Sequence, residues 1–343
     1  MLQNELQVAL SAVHSAMTIS RAVQGELTLG RWDKSDRTPV TVADLAVQAH
    51  ISAALAQHFP NDPLMAEESS DELQTPEWAA CLEIVTQHVA TVRPELTGHG
   101  DAKGRVLDWI GRGQQAPDPA RRYWVLDPID GTKGFLRRGQ YAIALALIER
   151  GKILLGVLAC PNLPQRPGKL GQAISANDGM IFFARRDGLG AQAVVAPTGE
   201  PFHTDWVPVR VNHADAATAT WCERVESSDK NKDLTTIIVE RAGVTSAPYR
   251  LDSQAKYSVV ARGEASIYLR HTLDKTYREK VWDHAAGVIV IEEAGGRVTD
   301  LRGQPLDFSL GRELSANRGI LATNGILHAP ILEAVQAEGL FAE

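Results

Sequence analysis

The sequence of 343 residues predicts a mixed α/β fold of the α+β kind, and three patterns support this prediction. Residues 2–58 carry apolar side chains at helical spacing. Residues 123–159 form apolar runs that are separated by turns and not by helices, which indicates antiparallel strands. From about residue 219 onward, the chain alternates between strand and helix patterns. We expect two domains, an α+β domain over residues 1–196 and an α/β domain over residues 197–343.

Two helices are expected before the first strand. The first should end near Gln24, and its apolar residues recur every three or four positions at Leu2, Leu6, Leu10, Val13 and Met17. The second should cover residues 41–58, because Thr41 and Asp44 stand three apart, as in a capping box, and residues 59–62 end it.

Polar segments surround a short strand that is predicted over residues 64–66. A polar loop at 34–39 precedes the second helix, and the acidic pair Glu67 and Glu68 follows the strand. The next region is polar and has no assigned helix or strand. It leads to a Gly- and Pro-rich stretch at 111–119, which we expect to be a surface loop.

The β-rich part begins with an apolar strand at 123–126 that enters a tight turn at 127–132. Residues 141–148 and 153–159 should then pair as a hairpin. Further elements are expected as a hairpin of 180–184 and 193–196, strands near 219–223, 265–269, 297–299 and 320–322, and helices near 234–242, 253–261, 283–294 and from 329 onward.

Composition places the chain among globular proteins with a sizeable core, because 44% of its residues are hydrophobic and 22% are charged. The net charge of −7 argues against binding a nucleic-acid polymer. The longest apolar runs, of about eight residues, are shorter than the roughly 20 that cross a bilayer. Cys81, Cys160 and Cys222 show no metal-binding or disulfide spacing. We expect a cytoplasmic protein with no membrane or nucleic-acid partner.

Asp127 and Asp130 are the strongest sign of chemistry, because they flank Pro128 and precede Gly131 directly after a strand. Proline and glycine allow a turn that aims both carboxylates and the carbonyl of Ile129 at one point. Two carboxylates at about 4 Å repel by about 4 kcal/mol at an effective dielectric constant of 20. Such a turn therefore favours Mg²⁺ or a similar hard cation. The alternative is a loop whose acids are solvated and bind nothing.

The other candidate residues each have an ordinary structural explanation. Glu67 can be a solvated strand end, and Asp44 can stabilise a helix N-terminus by about 0.5 kcal/mol. Asp283 stands where a helix cap is expected. Lys256 and Arg270 can be solvated surface cations. Residue patterns alone leave these alternatives open.

Considered together, these residues resemble a known family over nearly the whole chain. Their order and spacing are similar to those of the lithium-sensitive, magnesium-dependent phosphatases of the inositol monophosphatase superfamily. The matching features are Asp44, Glu67, Asp-Pro-Ile-Asp-Gly-Thr at 127–132 and Trp-Asp-His-Ala-Ala-Gly at 282–287. The segments that resemble the 3'(2'),5'-bisphosphate nucleotidase branch are 106–110, 124–136 and 252–257. The resemblance implies a layered αβαβα sandwich of the inositol monophosphatase and fructose-1,6-bisphosphatase type.

The resemblance also assigns roles to individual residues. It implies that two or three Mg²⁺ ions are held by Glu67, Asp127, the carbonyl of Ile129, Asp130 and Asp283. It implies that Asp44 and Thr132 activate the attacking water. It implies that substrate is bound by Asp130, Gly131, Thr132, Ser253, Lys256, Arg270 and Asp283. Most metal ligands thus lie in 1–196, whereas 197–343 supplies Asp283 and most of the substrate-binding residues. Li⁺ and Ca²⁺ are expected to inhibit.

The activity that the resemblance implies is removal of the 3'-phosphate of adenosine 3',5'-bisphosphate to give AMP, with its sulfated analogue also accepted. Ser253, Lys256 and Arg270 would hold the second phosphate and the nucleoside, since each charge-assisted bond adds about 1.5 to 3 kcal/mol. The first alternative is an inositol mono- or bisphosphate phosphatase of the same fold. The second is a non-catalytic, metal-dependent nucleotide sensor.

One departure from the family pattern concerns the residues that bind the adenine base. Relatives often carry a histidine after the Val-Glu pair that corresponds to Val225 and Glu226, where this chain continues with Ser227 and Ser228. The way in which adenine is held is therefore open at this point. For the quaternary state, a monomer is favoured.

Overall fold

In the computed structural model, helices cover two β-sheets. The structure describes residues 2–26, 32–33, 39–98, 100–168, 175, 178–196, 205–226, 229–274 and 276–339. The predicted polar loop at 34–39 lies almost wholly outside these residues, as do Ser227 and Ser228. The α-helices are α1 (Gln3–Gly25), α2 (Val42–His58), α3 (Ala79–Val92), α4 (Ala102–Gly111), α5 (Thr132–Leu136), α6 (Asp229–Arg241), α7 (Ala255–Ala261), α8 (Ala285–Glu293) and α9 (His328–Ala337). Within the described residues, no helix has both the length and the apolar character needed to cross a membrane.

The strands form a small two-stranded ribbon and two larger sheets. In chain order they are β1 (Trp32–Asp33), β2 (Pro39–Val40), β3 (Leu64–Ala66), β4 (Arg122–Asp130), β5 (Ala142–Glu149), β6 (Lys152–Cys160), β7 (Met180–Arg185), β8 (Gln192–Val195), β9 (Val207–Pro208), β10 (Trp221–Glu223), β11 (Tyr249–Arg250), β12 (Ile267–Arg270), β13 (Arg297–Thr299) and β14 (Ile320–Thr323). Short 3₁₀ helices cover Glu72–Gln74, Pro76–Trp78 and Pro94–Leu96.

The first large sheet contains β3 to β9 in sequence order. It is antiparallel except for the parallel pair of β3 and β4, which confirms the antiparallel arrangement predicted for residues 123–159. Arg150 and Gly151 join β5 to β6, and their φ angles of 51° and 69° are both left-handed. Such a two-residue turn matches the twist of the paired strands, which explains why this hairpin is so tight.

Helices cover both faces of this sheet. Trp124 and Leu126 of β4 pack into a core with α1 to α4, whereas Tyr123 and Val125 pack into a second core with α7 and α8. This alternation follows from the period of two along a strand, which sends successive side chains to opposite faces.

The second large sheet has the strand order β11-β10-β12-β14-β13 and contains both parallel and antiparallel pairs. Tyr268 of β12 faces α7 and α8, whereas Ile267 and Leu269 face α6 and α9. Helices α7 and α8 therefore form a layer between the two sheets. The order of layers is αβαβα, which confirms the architecture that the resemblance implies.

The acidic segment differs from the tight turn that the sequence predicts. Strand β4 continues through Asp130, and Pro128 lies within it, where the register against β5 shifts between Asp127 and Asp130. An irregularity of this kind is one of the few places where a sheet tolerates proline. The chain turns only at Gly131, whose φ is 86°, before α5 begins. The prediction of a turn starting at residue 127 is therefore wrong, although both acids do lie at a strand end.

Two helices occupy the region to which the sequence prediction assigns no element. In α3, the buried residues Cys81, Val85 and Val89 are four positions apart, but no side chain caps the helix start. In α4, the carboxylate of Asp101 accepts the backbone N–H of Gly104 at 3.2 Å and caps the helix. The helical signals are thus present in this polar stretch, and strand β11 is a further omission.

The middle layer connects the two halves of the chain. Helix α8 packs against β6 and β7 of the first sheet. Strand β9 also extends the first sheet beyond residue 196. The division into 1–196 and 197–343 stays a prediction.

Candidate functional site

A cavity of about 310 Å³ opens beside the ends of β3, β4 and β12 and the starts of α5, α7 and α8. Most of the predicted site residues line it, namely Glu67, Asp130, Gly131, Thr132, Ser253, Lys256, Arg270 and Asp283. The other lining residues are Lys133, Gly134, Arg224, Glu226, Asp252, Gln254 and Tyr268. Asp44, Asp127 and Ile129 are buried and are not part of the lining.

Glu67 and Asp127 are brought together by the parallel pairing of β3 and β4. Ala66 pairs with Leu126, so the next residue of each strand continues past the same edge of the sheet. The backbone N–H of Glu67 donates to the carbonyl of Leu126 at 3.3 Å, which extends the pairing by one residue. Two acids that are distant in sequence therefore lie side by side.

Asp130 connects the first half of the chain to the turn that precedes α7. Its Oδ2 atom accepts the backbone N–H of Gln254 at 2.5 Å. Gly131 packs so closely on Ser253 that an added Cβ would lie 2.9 Å from the Cβ of Ser253. Ser253 has a left-handed φ of 67°, which is uncommon for serine, and its hydroxyl accepts the N–H of Ala255 at 3.1 Å. A predicted metal ligand and a predicted substrate-binding residue are thus fixed against each other.

Asp44 lies in the first turn of α2, within the capping box that the sequence predicts. Its Oδ2 atom accepts the backbone N–H and the hydroxyl of Thr41 at 2.8 and 2.6 Å. The hydroxyl of Thr132 donates to the carbonyl of Ile129 at 3.3 Å. A direct bond between Asp44 and Thr132 stays a prediction, as does their role in activating water.

Asp127 is at the centre of a group of like charges. Burial and the neighbouring Glu67, Asp130, Asp283 and Asp44 raise the pKa of Asp127 well above its usual range. Its Oδ1 atom is buried and has no hydrogen-bond partner among the residues that the structure describes. An isolated buried carboxylate oxygen beside other carboxylates is costly, and a bound cation would relieve that cost.

The charge of Asp130 is balanced in part by the opposite side of the cavity. Burial and Asp283 raise the pKa of Asp130, whereas Lys256 and Arg270 act in the opposite direction. Because the acidic side offers carboxylate and carbonyl oxygens, its donor set fits a hard divalent cation such as Mg²⁺ better than a soft metal.

Asp283 contacts a buried network that contains Arg270, Glu279 and His284. Ligand atoms of Glu279, Asp283 and His284 lie within 4.8 Å of one another, which is close enough to hold a metal ion. However, the Nη2 atom of Arg270 lies 2.6 Å from Oε2 of Glu279 and 3.2 Å from Oδ2 of Asp283. The ring nitrogens of His284 contact Glu279 at 3.1 Å and the hydroxyl of Tyr257 at 2.7 Å. We therefore interpret Glu279 and His284 as groups that orient Arg270.

The structure tests the ordinary structural explanations that the sequence leaves open for Asp283, Lys256, Arg270 and Asp44. Asp283 does not cap α8, because His284 occupies the position before the helix. Lys256 and Arg270 are not solvated surface cations, because Lys256 is only 2% exposed and the Arg270 side chain is 13% exposed. Asp44 does stabilise a helix N-terminus, as expected, because it completes the capping box of Thr41, and its charge also acts on Asp127.

Lys256 is directed mainly at its own turn. Its ammonium donates to the carbonyls of Ser253 at 2.6 Å and Leu251 at 3.2 Å, and it lies 5.1 Å from the centre of the Tyr268 ring. Burial, followed by the positive charge of Arg224, lowers the pKa of Lys256 to about 8. The two backbone bonds leave one N–H of the ammonium for a ligand.

The residues around the cavity that the sequence does not predict include Arg224, Tyr268 and Arg312. Arg224 and Tyr268 are in the lining. Arg312 donates to the carbonyl of Ala66 at 2.7 Å and its guanidinium lies 4.5 Å from the centre of the Trp282 ring. A basic residue directly after a strand is the signal that could have identified Arg224.

Comparisons with known proteins agree with this geometry. The family described as the Inositol monophosphatase family matches residues 2–340. The chain is 43% identical over 342 residues to a 3'(2'),5'-bisphosphate nucleotidase of Oryza sativa, covering 97% of this chain and 93% of that protein. It is 38% identical over 348 residues to a protein of the same name from Emericella nidulans, covering 97% and 98%. Its fold is similar to that of the IMPase of Thermotoga maritima, with a TM-score of 0.63, 21% identity, and coverage of 98% of this chain and 100% of that one. The chain therefore belongs to the inositol monophosphatase family.

Proposed function

We propose that the protein is a Mg²⁺-dependent phosphomonoesterase that removes the 3'-phosphate of adenosine 3',5'-bisphosphate to give AMP, and that it also accepts the sulfated analogue. The observation that supports this most is the division of one cavity into an acidic side and a basic side. Glu67, Asp130 and Asp283 are on the first, and Lys256 and Arg270 are on the second. A substrate with two separated phosphates fits such a cavity, and the names of the relatives point to the same class.

On the acidic side, Glu67, Asp127, Asp130, Asp283 and the carbonyl of Ile129 would hold the metal. Four carboxylates balance the charge of two Mg²⁺ ions, and a phosphate dianion would allow a third. When bound, Mg²⁺ supplies positive charge at the phosphate and lowers the pKa of a bound water. The buried Oδ1 atom of Asp127, for which the described part of the chain supplies no hydrogen-bond partner, supports this assignment.

The chain's own residues would position the phosphate and accept the proton. The backbone N–H groups of Gly131 and Thr132 would contact the phosphate oxygens at the start of α5. Water would form a bond to phosphorus as the bond to the 3'-oxygen breaks, and its proton would pass to the Thr132 hydroxyl as that hydroxyl gives its own proton to the Asp44 carboxylate. The 3'-oxygen leaves and takes a proton from solvent, so no phosphoenzyme forms.

On the basic side, Ser253, Lys256 and Arg270 would hold the second phosphate and the nucleoside. Arg270 keeps its charge in this buried position because Glu279, Tyr268 and Asp283 raise its pKa above the usual value despite the cost of burial. A permanent cation at this point favours a substrate that carries a second phosphate over one that does not.

The direct test is release of inorganic phosphate from adenosine 3',5'-bisphosphate in the presence of Mg²⁺, with excess EDTA as the control. Asp130→Asn should lose most of the turnover while keeping the fold, because it removes a ligand charge without changing the volume and keeps an acceptor for the N–H of Gln254. Unchanged turnover by Asp130→Asn would exclude the metal-binding role of Asp130.

Two alternatives make different predictions in the same assay. An inositol mono- or bisphosphate phosphatase would hydrolyse inositol phosphates faster than the nucleotide. A non-catalytic nucleotide sensor would bind the nucleotide but release no phosphate with any divalent cation. The proposed roles of the Asp44 carboxylate and of the Thr132 hydroxyl concern only catalysis, and they favour an enzyme over a sensor.

We also propose that the protein works in a reducing compartment such as the cytoplasm. Cys81, Cys160 and Cys222 are free and buried, and burial raises the pKa of each thiol to about 12. Thiols in this state are poor nucleophiles and are slow to form disulfides.

A further inference from the structure

Four cationic side chains line the cavity, and they differ in the number of ion pairs and hydrogen bonds that they form within the protein. The four are Lys133, Arg224, Lys256 and Arg270. Arg270 is paired with Glu279 and Asp283 at 2.6 and 3.2 Å, and Lys256 donates to two backbone carbonyls. The remaining two, Lys133 and Arg224, are exposed to solvent.

Arg224 is placed beside Arg270 by the pairing of β10 with β12. These strands are parallel, and Cys222 pairs with Tyr268, so residue 224 continues level with residue 270 at the same edge of the sheet. Lys133, in contrast, directly follows Thr132 at the acidic end of the cavity. Of the three cations on the basic side, Arg224 therefore has the fewest bonds to the other groups that the structure describes.

The carboxylates around Arg224 are paired with other arginines. Glu223 is 2.6 Å from Arg250. Glu226 and Asp252, which both line the cavity, are paired with Arg137, the latter at 2.6 Å. In the part of the chain that the structure describes, no carboxylate forms an ion pair with Arg224. Its guanidinium keeps five N–H donors for a ligand.

The positive charge of Arg224 is close enough to Lys256 and Tyr268 to act on both. After burial, it is the largest cause of the lowered pKa of Lys256, and it also opposes the rise in the pKa of Tyr268. Two like charges on one wall of a cavity repel each other, and an anion between them would attract both and offset this repulsion.

We propose that Arg224 binds the phosphate of a nucleoside bisphosphate that is not hydrolysed, and that it thereby determines the preference for bisphosphates over monophosphates. This inference rests on the proposed function, because it assigns the second phosphate of that substrate to a particular side chain. A guanidinium can form two parallel bonds to one phosphate, which an ammonium cannot. Lys256 then adds positive charge beside this phosphate from its buried position, and its bond to the carbonyl of Ser253 stabilises that turn.

The test compares Arg224→Gln with the parent protein on adenosine 3',5'-bisphosphate and on adenosine 3'-monophosphate. The ratio of the two kcat/KM values should fall about 10- to 100-fold in Arg224→Gln, and the change should be mainly in the KM for the bisphosphate. Arg224→Lys should recover part of the ratio. Arg121→Gln, which changes an exposed arginine outside the cavity, is the matched control and should keep the parent ratio.

A binding measurement separates this inference from the proposed reaction. In calorimetric titrations, Arg224→Gln should bind AMP about 10-fold or more weakly than the parent protein, with adenosine affected much less. This experiment decides the role of Arg224 even if the parent protein releases no phosphate, in which case the proposed function fails alone. Equal losses for AMP and adenosine, an unchanged substrate ratio, or a fall in the ratio with Lys133→Gln but not with Arg224→Gln would overturn the inference.

Discussion

Replacing Asp127 with Asn should stabilise the protein when divalent cations are removed, and it should abolish most of the stabilisation that Mg²⁺ provides. Asp127 is 2% exposed, and within the described ranges its Oδ1 atom has no hydrogen-bond partner. Burial together with Glu67, Asp130, Asp283 and Asp44 raises its pKa. Two carboxylates at about 5 Å repel by about 3 kcal/mol at an effective dielectric constant of 20. Asparagine has nearly the same volume and no charge, so Asp127→Asn should be more stable in EDTA by about 1 to 3 kcal/mol.

Thermal unfolding in EDTA and in saturating Mg²⁺ measures both parts of this prediction. The unfolding entropy is about 2.1 cal/mol/K per residue, so 3 kcal/mol corresponds to a rise in Tm of roughly 4 °C for a chain of 343 residues. The parent protein should gain about 2.7 kcal/mol per site at a Mg²⁺ concentration of 100 Kd, and Asp127→Asn should gain much less. Asp108→Asn, at an exposed position of α4, is the control. A destabilised Asp127→Asn protein that still responds fully to Mg²⁺ would refute this reasoning.

Three further predictions concern residues around the cavity. Gly131→Ala should lower stability by about 1 to 3 kcal/mol and reduce kcat/KM, because alanine would have to adopt a left-handed φ and its Cβ would lie 2.9 Å from the Cβ of Ser253. An unchanged Tm would contradict this prediction. Lys256→Met should lower stability by about 1 to 3 kcal/mol in denaturant unfolding, because it removes the ammonium that donates to the carbonyls of Leu251 and Ser253 and leaves the latter only the backbone N–H of residue 256 at 3.3 Å. Arg224→Gln should not lower stability in this way. Although burial opposes it, Arg270 and the hydrogen bond with His284 lower the pKa of Glu279 to about 2. The stability that this lowered pKa gives is present above the usual pKa of 4.5 and is lost as the pH falls towards 2. Between pH 7 and pH 3, the unfolding free energy of the parent protein should therefore fall by about 2 kcal/mol more than that of Glu279→Gln. Equal losses would contradict the assignment.

Much of the fold is predictable because it follows from local patterns. The capping box of Thr41 and Asp44 marks the start of α2, and the apolar run before Asp127 marks β4. The course of the chain at Pro128 is not predictable in the same way. Proline and glycine signal a turn, but the partner strand β5 holds residues 127–130 in the sheet, and this pairing is not a local property.

The acidic side of the site can be predicted from the sequence better than the basic side. Asp127 and Asp130 share one short motif, and Glu67 directly follows a predicted strand, which the structure pairs with β4 in parallel. The residues on the basic side come from separate turns of the second half. Lys256 is buried and donates to two carbonyls, whereas Arg224 is exposed and its neighbouring carboxylates are paired with other arginines, and this difference depends on the folded positions of Leu251, Ser253 and Arg137.

Identification of the product formed from adenosine 3',5'-bisphosphate tests the central claim most directly. ³¹P NMR of the reaction with Mg²⁺ distinguishes the two monophosphates. If the acidic side positions the reacting 3'-phosphate and the basic side holds the other one, the product is AMP with its phosphate on the 5'-oxygen. Formation of adenosine 3'-monophosphate, or no reaction while inositol phosphates are hydrolysed, would contradict this account.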